Sequence, residues 1–156
     1  MALVRILVDG YSLLHNWPEL APGKARYSAA AREELIRQLT LYRDAIVTPI
    51  TIVFDGTQPP VGPVAFRSTP ELEILYSRAG KSADDLIERA TVRLLKYGDV
   101  LAVTDDYAER DLFIGMGGMA SSCDNFIADI ETTLQSQGRE LFHHNRRERA
   151  GFKAPR

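Results

Sequence analysis

Short, almost wholly apolar runs alternate along the chain with longer stretches whose apolar residues recur every three or four positions. The runs are Leu3–Val8, Ile50–Phe54 and Val100–Thr104. Each is short and rich in Val, Ile or Leu, as expected of strands buried on both faces of a parallel sheet. Between the first two, Leu35, Ile36, Leu39, Tyr42 and Ile46 share one face of a helix predicted over 29–47. Ser28 is its expected N-cap and Pro49 its stop. Leu86, Ile87, Ala90, Leu94 and Leu95 mark a second helix over 83–97, opened by Ser82 and closed at Tyr97-Gly98.

The rest of the pattern is less regular. Residues 107–115 read as a short helix, and the Gly-rich turn at 116–120 leads into an edge strand. Phe126, Ile127, Ile130 and Leu134 place a last helix over 122–138, ended by Gly138. Residues 64–67 and 72–77 are weaker strand candidates split by Pro70. Residues 11–28, with Trp17-Pro18 and Pro22-Gly23, read largely as loop. Strands alternating with helices argue an α/β fold with a mainly parallel sheet and helices on both faces.

The strand ends carry the chemistry. Leu3–Val8 runs into Asp9, Ile50–Phe54 into Asp55, and Val100–Thr104 into Asp105 and Asp106, while Asp84 and Asp85 open the 83–97 helix. In a parallel sheet the carboxyl ends of the strands share one edge, where ligands bind. Carboxylates gathered there repel one another unless a cation sits among them. Each Asp-Gly is also an ordinary turn, and acids in a first helical turn are ordinary dipole partners. It is the recurrence on one edge that favours a site. Adjacent helical residues diverge by about 100°, so one of the pair Asp84–Asp85 faces the strand ends, and Asp84 is preferred. Oxygen donors without a histidine or cysteine set suit Mg²⁺ or Mn²⁺, one or two ions, rather than zinc. His15, His143 and His144 have no zinc-site spacing.

Two other chemistries fit poorly. Val8-Asp9-Gly10 loosely resembles the nucleophile strand of haloacid dehalogenase-type phosphatases, but Tyr11 stands where a second aspartate is needed. No G-x-G-x-x-G follows the first strand, which argues against a dinucleotide fold.

The motifs Val8-Asp9-Gly10-Tyr11-Ser12, Trp17-Pro18, Val53-Phe54-Asp55-Gly56, Ser82-Ala83-Asp84 and Val103-Thr104-Asp105-Asp106-Tyr107 together resemble the NYN family of PIN-like nucleases, in particular its YacP-like branch. The resemblance spans roughly residues 3–138. It implies a three-layer α/β/α sandwich and a metal-dependent endoribonuclease acting on RNA, with mRNA on the ribosome as the implied substrate. It implies catalytic roles for Asp9, Asp84 and Asp106 and a metal-binding set of Asp9, Asp55, Asp84, Asp105 and Asp106. Ser12, Asp85 and Thr104 are then positioned to orient those groups. One departure is Ser12, where the family usually has asparagine. A catalytically weak or inactive RNA- or ribosome-binding module of the same fold is the alternative.

Charge divides the chain of 156 residues unevenly. Residues 1–138, the expected nuclease domain, are net acidic, whereas 139–156, the expected helix end and tail, are net basic within an overall charge of −2. Phosphates need cations nearby. Lys81, Arg67, Arg110, Arg146 and Arg147 are the candidate RNA contacts, with Lys24, Arg26 and Arg78 as further surface cations. Tyr11, Trp17 and Tyr107 are aromatic neighbours of the acids, and Trp17 is expected to pack its loop onto the core. The lone Cys123 is expected to be a small filler near a helix start. It forms no internal disulfide, which fits a cytoplasmic protein. No apolar stretch approaches the ~20 residues that span a bilayer.

Overall fold

The computed structural model describes residues 2–55, 69–77 and 81–152, with side chains as far as residue 138. Five parallel strands form its sheet: β1 (Leu3–Asp9), β2 (Ile50–Phe54), β3 (Leu72–Tyr76), β4 (Asp99–Val103) and β5 (Met119–Ser121), in the order β3-β2-β1-β4-β5. The helices are α1 (Gly10–His15), α2 (Ala29–Ile46), α3 (Ala83–Leu94), α4 (Tyr107–Gly115) and α5 (Cys123–Phe152). A 3₁₀ turn covers Pro18–Leu20.

Alternation along the strands makes two cores. Ile6 and Val8 of β1, Ile50, Ile52 and Phe54 of β2, and Val103 of β4 pack with α1, α2 and α5. Leu7, Val53, Val100 and Ala102 pack on the other side with α3 and Phe113 of α4. The result is an α/β/α sandwich, and the inner strands are apolar on both faces because both faces are covered. The chain winds from β1 out to β3, then returns across to β4. The strand order therefore reverses between β1 and β4, which opens a crevice at their carboxyl ends.

Local chemistry fixes the elements. Ser28 caps α2 through Ala31 N at 3.2 Å. Ser82 caps α3 and forms a reciprocal capping box with Asp85. Trp17 is buried and Cys123 is fully buried as the first residue of α5, as expected for both.

Several expectations need correction. The start of the segment 11–28, read largely as loop, forms α1 together with Gly10, because Asp9 caps it and Leu13 and Leu14 bury themselves in the core. Helix α2 ends at Ile46, one residue short of the expected 47, because Val47 is a left-handed C-cap with φ 58° and ψ 34°. Helix α3 ends at Leu94 rather than 97. Gly138 does not end the last helix, which continues to Phe152. An interior glycine costs only about 1 kcal/mol, which the surrounding helix absorbs. The strand candidate at 64–67 lies outside the described residues. Among the described residues no helix is long and apolar enough to cross a membrane.

Candidate functional site

Asp9 is the last residue of β1 and the N-cap of α1, where its Oδ1 accepts the Ser12 N–H at 3.3 Å. Burial pushes its carboxyl above the ordinary range, partly offset by bonds from Ser12, and the charge of Asp55 adds to the rise. Gly10, next in sequence, lies against the Phe54 ring: a Cβ there would meet Phe54 Cε1 at 2.5 Å. That close approach lets the backbone turn from strand to helix under the carboxylate. Asp55 follows β2 and is exposed, with Oδ1 accepting the Ser77 hydroxyl at 2.9 Å.

The α3 cap sorts the two neighbouring acids. Asp85 is exposed and its carboxylate accepts the Ser82 N–H at 3.2 Å. Asp84 turns inward, and its Oδ1 is buried with no hydrogen-bond partner among the described residues. Its carboxyl is pushed up to about 6, first by burial, then by the charges of Asp9, Asp106, Glu88 and Asp55. Asp84 thus lies in the field of acids from β1, β2 and the segment after β4.

That segment divides its two aspartates. Asp106 caps α4, accepting from Ala108 N at 2.9 Å and Glu109 N at 3.3 Å, while its own N–H donates to Thr104 Oγ1 at 3.2 Å. Asp105 turns the other way: Oδ1 accepts the Cys123 N–H at 2.9 Å and Oδ2 accepts from Asn16 Nδ2. Both Asp105 oxygens therefore already have donors, whereas the sequence grouped Asp105 with the metal-binding acids.

Two acids were missed. Glu88 stands one turn beyond Asp84 on α3, and Glu109 lies in the first turn of α4. Glu109 is pushed up to about 7, by burial first, then by a hydrogen bond with Glu88 and by the charges of Asp84, Glu88 and Asp106. Glu109 Oε2 is buried and lacks a donor when both glutamates are ionised. Two carboxylates bond to each other only by sharing a proton, so the raised proton affinity follows from the contact. The i,i+4 spacing of Asp84 and Glu88 was the available signal.

As they lie, no three His, Cys, Asp or Glu side chains among the described residues are grouped to hold one ion. The donor set nevertheless fits a hard divalent cation. Asp84 offers a buried oxygen that no donor among the described residues serves, and the charges of Asp9, Asp55 and Asp106 raise its proton affinity, a crowding that a bound cation would relieve. All donors are oxygens, which suits Mg²⁺ or Mn²⁺.

A cavity of about 590 Å³ opens beside these groups. Asp9, Asp55 and Asp105 line it together with Tyr11, His15 and Tyr27, and with Ser12 and Asn16. Arg32 Nη1 donates to the Tyr27 carbonyl at 2.8 Å and to the Tyr11 hydroxyl at 3.4 Å. Arg26 Nη1 stands 3.2 Å from His15 Nδ1. Tyr27 and Arg32 had not been singled out, because helix periodicity placed Arg32 on an ordinary surface.

The other cations are distributed differently. Lys81 is exposed just before α3. Arg110 is half-buried, its guanidinium carbon 4.2 Å from the Tyr107 ring centre and its Nη2 3.5 Å from the Asp105 carbonyl. Arg67 and Arg78 lie outside the described residues, and Arg146 and Arg147 belong to the part of α5 described by backbone alone. Trp17 is in the core and takes no part in the cavity wall.

Comparison with known proteins bears on this arrangement. The model of the YacP-like NYN domain matches residues 6–154. The YacP protein of Bacillus subtilis (strain 168) is 27% identical over 128 residues, 81% of this chain and 75% of that protein. The crystal structure of Rae1 (YacP) from Bacillus subtilis is similar with a TM-score of 0.78 at 25% identity, covering 97% of this chain and 86% of that one. A mutant form of Rae1 superposes with a TM-score of 0.76 at 24% identity, over 92% of this chain and 84% of the other.

Proposed function

Because the chain belongs to the YacP-like NYN domain family, a nuclease-type family, we propose that it is a metal-dependent endoribonuclease hydrolysing RNA phosphodiester bonds. The observation that carries this reading is the buried, unpartnered Asp84 Oδ1 among the charges of Asp9, Asp55 and Asp106. The implied substrate is single-stranded RNA, with mRNA on the ribosome as its natural setting and the cytoplasm as its compartment.

In this reading Asp9, Asp84 and Asp106 hold Mg²⁺ or Mn²⁺, and Asp55 adds charge at the mouth. The ion, when bound, neutralises phosphate charge and makes a water more acidic. The protein's own groups fix the acids. The Ser12 N–H holds the Asp9 carboxylate, and Thr104 and the first turn of α4 hold Asp106. Ser12 thus supports Asp9 through both its backbone N–H and its side chain, and the backbone part does not need the asparagine usual at this position. Water attacks phosphorus, an O–P bond forms, and the bond to the 3′ oxygen breaks as that oxygen takes a proton. The products carry 5′-phosphate and 3′-hydroxyl ends.

The test is cleavage of a labelled single-stranded RNA with Mn²⁺. Asp9→Asn is expected to lower the rate at least about 100-fold. Equal cleavage by this variant, or no cleavage by the wild type at high protein and metal, would overturn the reading.

A second reading has one observation in its favour: among the described residues no three ligands are grouped for an ion as the side chains lie. On it, the same fold binds RNA or the ribosome without cutting. Binding that survives Asp9→Asn and Asp84→Asn, needs no metal and leads to no cleavage would decide for it.

A further inference from the structure

The cavity beside the acids has a wall that phosphodiester hydrolysis does not by itself require. Tyr27 precedes α2 and is 49% exposed, unlike the aromatic residues of the cores. Its ring centre is 5.3 Å from that of Tyr11, with the rings nearly perpendicular at 82°. Tyr11 is in turn 5.2 Å from Phe54, which stacks on Tyr76 at 5.5 Å. Tyr27 is therefore the open end of an aromatic chain rooted in β2 and β3. Polar contacts hold it in place: its hydroxyl is 3.1 Å from His15 Nδ1, and its carbonyl accepts from Arg32. Arg26, exposed, closes the group through His15.

A half-exposed ring so braced, lining a cavity that three carboxylates also line and with Arg26 nearby, suits a ligand with a flat π-surface and an anion that can reach the guanidinium. A nucleotide within a polynucleotide has the required combination, since its base stacks on an aromatic face and its phosphate seeks a guanidinium. The volume, about 590 Å³, falls within the roughly 300–1,000 Å³ usual for ligand sites.

We propose that Tyr27, supported by His15 and with Arg26 beside it, forms a nucleobase-stacking subsite for the nucleotide adjoining the bond to be cut. The proposal rests on the RNA-cleaving reading and names the contact by which a single strand is preferred. A base lying on Tyr27 cannot remain stacked within a continuous duplex. The substrate is therefore RNA that is single-stranded at this nucleotide, and stacking tolerates any base there.

The experiment measures binding of a fluorescein-labelled oligouridylate to the full chain by anisotropy, in EDTA so that no strand is cut. Tyr27→Ala is expected to weaken binding about 5- to 100-fold, and Tyr27→Phe to stay within about twofold of wild type. Arg26→Ala weakens binding with a reduced salt dependence. Duplex RNA of equal length binds wild type and Tyr27→Ala alike. In cleavage with Mn²⁺, Tyr27→Ala raises KM while kcat is retained. Equal oligouridylate affinity for wild type and Tyr27→Ala, with unchanged melting temperatures, overturns the subsite, as does an equal loss on duplex. Tyr27-sensitive binding without any cleavage supports the subsite and counts against the nuclease reading alone.

Discussion

The Asp105 carboxylate accepts the backbone N–H of Cys123 at 2.9 Å, tying the segment after β4 to the start of α5. Asn16, at the end of α1, holds the other oxygen. Asp105 therefore joins three elements, while its neighbour Asp106 faces the field of Asp84. Asp105→Ala is expected to cost about 1–3 kcal/mol, through a lost helix cap and a buried donor left unpaired. That lowers the melting temperature by roughly 2–4 °C per kcal/mol for a chain of this size. Asp106→Asn keeps an oxygen for the α4 cap and is expected to lose cleavage with a smaller change in melting temperature. Thermal melts set beside cleavage rates check the contrast; a reversed pattern would exchange the roles of the two aspartates.

Stability of the metal-free protein is expected to fall as pH rises. Asp84 has its folded value raised from 3.8 to about 6, and Glu109 from 4.5 to about 7. Each binds its proton more tightly folded than unfolded. The folded state thus gains relative stability below these values and loses it as pH climbs through the window from about 4 to 7. Melting temperatures in EDTA should be lower at pH 7.5 than at pH 5.5. Asp84→Asn removes its share and flattens the curve. A wild-type melting temperature that rises across this window would contradict the crowding of acids described here.

Mn²⁺ is expected to reverse that loss. A ligand at 100 times its Kd stabilises the folded state by about 2.7 kcal/mol. At pH 7.5 the wild type should gain several degrees on addition of Mn²⁺, and Asp84→Asn should gain little. Differential scanning fluorimetry across a metal titration reads both. An equal gain in the two proteins would place the ion elsewhere.

Gly10→Ala tests the turn beneath Asp9. The added Cβ would stand 2.5 Å from Phe54 Cε1 and 3.1 Å from Ile52 Cγ2, both in fully buried side chains of β2. Overpacking of this kind costs about 1–3 kcal/mol. A drop in cleavage beyond what the lost stability explains is expected, because relief of the clash displaces the Asp9 carboxylate. A variant as stable and active as wild type would show that the approach of Gly10 to Phe54 is loose.

Much of the architecture was legible because burial on both faces leaves an unmistakable run of apolar residues. Ile50–Phe54 has no polar face to disguise it, and Ser28 and Ser82 sit where helix caps must. Helix α1 was not legible. Asp9-Gly10 has the composition of a turn, and the helix starts there because Asp9 caps it, Leu13 and Leu14 reach the core, and Gly10 leaves room for Phe54. Val47 was hidden for the opposite reason, since a β-branched residue is an improbable left-handed helix end. Within the site, the gathering of strand-end aspartates on one edge followed from parallel topology. The direction of each carboxylate did not. Asp105 and Asp106 are adjacent and chemically identical, and only the placement of α4 and α5 separates them. Tyr27 lay in a segment without periodicity, where sequence gives no facing direction.

The most direct measurement is a crystal of the protein soaked in Mn²⁺, with anomalous scattering used to locate the ion. The account predicts a peak about 2.1 Å from Asp84 Oδ1, with Asp9 and Asp106 as further ligands. Crystals that bind Mn²⁺ only elsewhere, or an Asp84 Oδ1 occupied by a lysine or arginine instead, would contradict it.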